Sequence, residues 1–391
     1  MKDVFVVDAL RTPFGSFAGA LSDVDAPKLA AGVMRERLAK NGVAPEGVDE
    51  VIVGQVLSGG CGQAPARQAM RGAGIPDSTH ALTVNKVCGS GLKALMLGAD
   101  SIRLGHSGVV IAGGMENMSL APYILKKARG GYRMGHGEVF DLMIYDGLQD
   151  PYSGRHMGEI GEASAERNRI SRGEQDDFAL RSYRLAQAAV KEGVFRDELV
   201  PVVKSGKSGD VTVAEDEEPF KADLTKLPQL RAVFKKEGTI TAGNASTISD
   251  GAALALLTDD HGLAKFSLTP KARIVAMATE SRHPDHFPEA PVGAIERACA
   301  RAGLAIKDID LFEINEAFAS VALIAIKDLK LDVDRVNVNG GACAIGHPIG
   351  ASGARLAATV IRELHRRKAR YGLATLCIGG GEAVAVIFER I

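Results

Sequence analysis

Short runs of aliphatic and β-branched residues recur along the chain: Val4 to Val7, Val51 to Val53, Val109 to Ile111, Thr375 to Ile378 and Val384 to Phe388. Between them lie longer stretches in which apolar residues return at helical spacing, such as Leu92 to Leu104 and Ala354 to Arg366. This alternation predicts α/β layers built on a central mixed sheet.

The pattern also repeats. Val48–Val53 lines up with Ile309–Ile314 (310 − 49 = 261), and Gly89-Ser90-Gly91 with Ala351-Ser352-Gly353 (351 − 89 = 262). Val110-Ile111-Ala112-Gly113-Gly114 then lines up with Leu376-Cys377-Ile378-Gly379-Gly380 (376 − 110 = 266). Three landmarks in one order indicate an internal duplication. On this alignment Cys377 stands opposite Ile111, and Asn315 opposite Gly54. Ser119 to about Ser249 has no counterpart. There Ser171-Arg172-Gly173-Glu174 is a capping-box pattern opening a helix that Gly193 closes. That stretch reads as an inserted, loop-rich subdomain, a common place for ligand-binding loops. The expected division is 1–118 plus 250–268 as one half, 119–249 as the insert, and 269–391 as the other half.

Composition narrows the function. The 391 residues exceed one core of ordinary size, with 46% hydrophobic and 24% charged positions. Net charge is −1, with no long run of one sign, which argues against a nucleic-acid partner or a polybasic membrane stretch. No apolar run approaches the ~18 residues of a membrane span, and the N-terminus lacks the signature of a signal peptide. The expectation is a cytoplasmic protein without membrane insertion. Five widely spaced cysteines without a Cys-x-x-Cys suggest neither a disulfide framework nor a metal site.

Two cysteines have unusual surroundings. Cys88 lies in Asn85-Lys86-Val87-Cys88-Gly89-Ser90-Gly91, a turn between a strand-like run and a helix. A helix N-terminus favours a thiolate, so this sulfur fits a nucleophile; a buried packing cysteine fits the same turn. Cys377 ends an apolar run before Gly379-Gly380-Gly381, where freed amides could meet an oxyanion. His347 sits among glycines and small apolar residues before Pro348, oriented and dry as a base serving a thiol needs, or simply satisfied by backbone. Asn315 ends the run Leu311 to Ile314 and can hold a water or a carbonyl oxygen, or form a turn. Cys343 reads as a packing residue.

Together N-x-x-C-G-S-G, N-E-A-F, G-H-P-x-G-x-S-G and C-x-G-G-G, in this order, resemble the thiolase family over nearly the whole chain. The resemblance implies an internally duplicated five-layered α/β/α/β/α fold with an inserted loop domain. It implies an acyl-CoA acyltransferase, in particular an acetyl-CoA C-acetyltransferase, with coenzyme A and acyl-CoA as substrates and no resident cofactor. By resemblance, His347 takes the Cys88 proton, Cys88 carries the acyl group and Cys377 moves the C2 proton. One oxyanion hole would use His347 and a water on Asn315; the other, the amides of Cys88 and Gly379. Ser246, His156, Met157 and Leu148 match CoA contacts, Ala317 and Phe318 the tunnel wall. Phe287, before Pro288, resembles members that tolerate a 2-methyl group. Lys221 is the candidate for the nucleotide phosphates. Tyr123 to Asp141 resembles a family tetramerisation loop, implying a homotetramer. The rivals are a thiolase of broader chain length, a carrier-protein ketosynthase of the same fold, and a CoA-ester binding protein without turnover.

Overall fold

The computed structural model describes residues 2–206 and 209–391. In chain order the main strands are β1 Phe5–Arg11, β2 Glu50–Gly54, β3 His80–Val84, β4 Val109–Asn117, β5 Ser249–Thr258, β6 Ala272–Ser281, β7 Leu311–Ile314, β8 Tyr371–Ile378 and β9 Glu382–Arg390. The main helices are α1 Ala26–Asn41, α2 Pro65–Gly72, α3 Ser90–Leu104, α4 Met157–Arg167, α5 Arg172–Lys191, α6 Ala290–Ala302, α7 Ala319–Leu329 and α8 Ser352–Arg367. The nine strands run in the order β7-β8-β9-β6-β1-β5-β4-β2-β3, with Gly15–Ser16 added beside β5. Contacts β2–β3, β2–β4 and β7–β8 are parallel, and the rest are antiparallel.

Period-two alternation sorts each strand between two cores. Ile52, Val110, Ala112, Ala253 and Ala255 share a core with α3 and α8, and so do Leu376, Ile378, Val384 and Val386 from the other half. The opposite face of the first half, through Val51, Val53 and Ile111, packs on α1 and α2. The opposite face of the second half, through Leu373, Ala385 and Ile387, packs on α6 and α7. The layers are therefore helix, sheet, helix, sheet, helix, with α3 and α8 in the middle. The central strands β1, β4, β5, β8 and β9 are buried on both faces, which is why their runs read as continuous, whereas the edge strand β3 is partly exposed.

The two middle helices start against each other. A Cβ on Gly91 would lie 2.8 Å from the Gly350 carbonyl oxygen, and one on Gly353 would lie 2.5 Å from the Leu92 nitrogen. These two glycines are repeat mates, so the duplication places its own equivalent turns in contact at the centre of the molecule.

The strand register corrects one part of the repeat. Glu50 pairs with Val110 in the first half, and its mate Leu311 pairs with Gly372 in the second. Val110 therefore matches Gly372 (372 − 110 = 262), and Cys377 stands opposite Met115 rather than Ile111. The two Gly-Gly strings look alike but do different work. Gly113 and Gly114 lie inside β4, where a Cβ on Gly114 would sit 1.8 Å from the Gly350 oxygen. Gly380 and Gly381 form the turn after β8, at φ +93° and +94°.

Between β4 and β5 the chain forms α4, α5 and two small hairpins, Tyr123–Ile124 with Phe140–Asp141 and Val202–Gly206 with Gly209–Val213. Neither hairpin joins the large sheet. Ser171 and Glu174 form the expected capping box on α5, worth about 1 kcal/mol.

Candidate active site

Cys88 occupies the turn between β3 and α3, and His347 the loop before α8. The crossing of those helices brings the two turns together. Cys377, the penultimate residue of β8, and Gly379 arrive from the adjoining strand end. All four line one cavity of about 560 Å³. Ser246, His156, Met157, Leu148, Ala317, Phe318, Phe287 and Lys221 line it too. Asn315 lies one layer behind, with Nδ2 3.4 Å from His347 Nε2. Its Oδ1 is buried and has no protein donor.

The loop that carries Ser246 is held by pairing with the N-E-A-F segment. Ser246 N donates to the Ala317 oxygen (3.0 Å), and Ala319 N to the Asn244 oxygen (2.8 Å). Asn244, fully buried, ties the loop to Asp176 on α5 at 2.8 Å. His156 is the N-cap of α4, its Nδ1 accepting from Gly158 N at 3.0 Å. Its ring stacks on Phe234 with centroids 4.8 Å apart, and Phe234 meets Phe318 edge-on. Phe234 escaped the sequence reading because it stands in a charged stretch without periodicity. Gly158 marks its place, since a Cβ there would lie 2.3 Å from the ring. Lys221 reaches the rim, but its ammonium rests on Glu217 and Ser16 Oγ.

Burial at the cavity opposes the thiolate that a helix N-terminus favours. Burial pushes the Cys88 thiol up to about 11, outweighing the amides of Gly379 and of Cys88 itself, which favour the anion. Burial, and then the nearby Cys88, raise Cys377 well above the usual thiol range. His347 is driven down to about 3 by burial and the Arg355 charge. The resting site thus holds two thiols and a neutral imidazole.

The tautomer of that imidazole follows from its neighbours. Ser352 Oγ lies 2.5 Å from His347 Nδ1 and donates its one proton to the Pro348 oxygen at 2.9 Å. It must therefore accept from Nδ1–H, which leaves the lone pair on Nε2, on the side of Asn315. The loop itself is pinned by Glu116. This buried carboxylate accepts from the Gly350, Val56 and Leu57 amides at 2.9, 2.9 and 3.1 Å. Neither Ser352 nor Glu116 has a local sequence signal for these roles, which depend on the loop that each meets after folding.

A duplicated five-layer fold with two cysteines and a histidine on one apolar cavity fits an acyltransferase. The thiolase N-terminal domain matches residues 4–261 and the thiolase C-terminal domain residues 268–390. The acetyl-CoA acetyltransferase of Chromobacterium violaceum is 49% identical over 390 residues, covering 99% of this chain and 100% of that protein. The Pseudomonas aeruginosa acetyl-CoA acetyltransferase is 48% identical over 392 residues, covering both chains completely. The crystal structure of the Bacillus anthracis acetyl-CoA acetyltransferase superposes with a TM-score of 0.98 at 40% identity, covering 100% of this chain and 99% of that one. The chain belongs to the thiolase family.

Proposed function

We propose that the protein is an acetyl-CoA C-acetyltransferase, joining two acetyl-CoA molecules into acetoacetyl-CoA and coenzyme A, and running the same steps in reverse. The observation that carries this is the meeting of two cysteine sulfurs and a histidine, its Nδ1 held by Ser352, at one cavity. A hydrolase working through a thiol has no use for the second one; a condensation that abstracts a C2 proton needs a base separate from the acylated sulfur, and Cys377 can serve as it.

Proton balance assigns the roles. Nε2 of His347 takes the Cys88 proton as the sulfur attacks the acetyl-CoA carbonyl carbon. The tetrahedral intermediate collapses to acetyl-Cys88, and the leaving CoA sulfur takes the proton of Cys377. His347 is now an imidazolium and Cys377 a thiolate. That thiolate removes a C2 proton from the second acetyl-CoA, and Nε2–H with an Asn315-held water meets the enolate oxygen. The carbanion attacks acetyl-Cys88, whose oxygen faces the amides of Cys88 and Gly379. Release of acetoacetyl-CoA leaves a Cys88 thiolate, which recovers its proton from His347.

Packing around Cys377 supports a short acyl group. Ile160, Ile240, Phe287, Phe318 and Val321 form a closed apolar cluster with it. Ser246, His156, Met157, Leu148 and Ala317 are assigned to the pantetheine arm, and Lys221, already shared with Glu217, to the mouth of the cavity. The halves 1–118 plus 250–268 and 269–391, with the insert 119–249, are the division we adopt. A homotetramer is assigned through the Tyr123–Asp141 segment, where Tyr123, Val139 and the 98% exposed Met134 lie open. Light scattering tests that assembly.

Thiolysis of acetoacetyl-CoA and of longer 3-ketoacyl-CoAs tests the activity. Turnover of the C4 substrate, lost in Cys88→Ser, is expected. A folded protein inactive on every chain length refutes the reading. Preference for long chains refutes only the acetyl assignment.

A further inference from the structure

The turn holding Cys88 and the turn following Cys377 come from opposite halves of the chain, and a charged pair joins them. Lys86 Nζ contacts Glu382 Oε2, while Ser281 Oγ donates to Oε1 at 3.0 Å. Lys86 precedes Cys88 by two residues, and Glu382 follows Gly379 by three. The pair is partly shielded, with side chains 21% and 33% exposed. Beside it the seam is made by close packing: a Cβ on Gly89 would lie 2.4 Å from Ile378 Cδ1, and one on Gly379 would lie 3.5 Å from Val87 Cγ1.

The nucleophile turn needs holding. Val87 adopts φ +44°, a left-handed conformation that a β-branched residue disfavours. From its own half, Asn85 Oδ1 accepts the Val87 amide, and Ser90 Oγ accepts from Lys86 N and donates to the Val87 oxygen. The opposite half contributes the Gly379 amide on the Cys88 sulfur and the Lys86–Glu382 pair. Carbon–carbon bond formation spans this seam, because the acyl group is on one side and the C2 base on the other. The CoA arm is assigned elsewhere in the cavity, to Ser246 and His156.

We propose that Lys86 and Glu382 are a positioning pair that sets the separation of the Cys88 turn from the β8 end that carries Cys377, acting on the chemical step and not on CoA binding. This rests on the roles given above to Cys88 and Cys377. A partly exposed ion pair contributes little to stability, so an effect on rate is separable from one on folding.

The test compares Lys86→Met, Glu382→Gln, their double variant and Lys86→Arg in acetoacetyl-CoA thiolysis. Each neutral single variant is expected to lower kcat about tenfold or more, with KM held within roughly twofold and the unfolding midpoint unchanged. The double variant should lose no more than the poorer single, and Lys86→Arg should keep most activity. Iodoacetamide alkylation of Cys88 separates position from charge. Lys86→Met leaves the Glu382 charge unpaired and slows it, whereas Glu382→Gln leaves Lys86 unpaired and speeds it. A fall of kcat in both singles, with alkylation moving in opposite directions, supports positioning. Single variants with kcat unchanged, losses that multiply in the double, or a kcat that follows the alkylation rate would each overturn it. An inactive parent protein would instead bring down the assignment of the two cysteines, and this inference with it.

Discussion

Replacing Ser352 by alanine removes one buried hydroxyl, outside the cavity lining, that fixes which nitrogen of His347 carries the lone pair. Ser352 is buried, and its oxygen is the acceptor for Nδ1–H at 2.5 Å. When Nε2 takes the Cys88 proton, the ring becomes a cation in surroundings that already drive its pKa down to about 3. Ser352 then accepts a charge-assisted hydrogen bond, worth about 1.5–3 kcal/mol. Losing it raises the barrier by that amount, a roughly 10- to 150-fold fall in kcat. Substrate binding does not need the charged ring, so KM should change little. Without its acceptor the ring can also adopt the other tautomer, turning Nε2–H toward Cys88 and deepening the loss. The assay is steady-state thiolysis, with the rate of Cys88 acetylation by acetyl-CoA measured separately. A Ser352→Ala protein with kcat within about threefold of the parent would falsify the tautomer argument.

Three further outcomes follow from the same geometry. Because Cys88 is raised to about 11, its thiolate fraction grows as pH rises toward that value. Iodoacetamide alkylation should therefore climb about tenfold per pH unit from 7 to 10, and a plateau below pH 8 would mean a preformed thiolate. Glu116→Gln keeps the shape but turns an NH₂ group onto backbone N–H donors, so urea unfolding should show a loss of about 1–3 kcal/mol; an unchanged midpoint contradicts the pinning role. Gly114→Ala places a carbon against the Gly350 oxygen and must displace the His347 loop. Activity should fall by about 100-fold in whatever protein folds, and near-parental kcat in a stable variant would show that the loop position is not critical.

Much of the architecture was legible because each half repeats a strand–turn–helix unit whose apolar runs and glycine turns survive in the sequence. The four catalytic candidates stood out by composition and converge on one cavity and its back wall. The protonation of Cys88 was not legible: a helix N-terminus can be read from residues, but the burial that overrides it depends on the facing half. The register of β8 against β4 was misread because glycines that admit a close backbone contact and glycines that make a turn are spelled alike. Phe234 and Ser352 were missed for a common reason. Their roles depend on which ring or hydroxyl lies beside them after folding, and no local pattern records that.

The contact of Gly91 with the start of α8, and of Gly353 with the start of α3, has a consequence for how a site of this kind can arise. At the same offset of 262, Ser90 is the mate of Ser352, and Asn85 the mate of His347. One serine shapes the turn before the nucleophile; the other directs a proton on the base. Two identical half-chains meeting this way would present the same group from both turns, and neither could act as acid to the other's base. Joining the halves in one chain removes that constraint. The near-symmetry supplies a common scaffold, and the chemistry resides in the places where the copies differ.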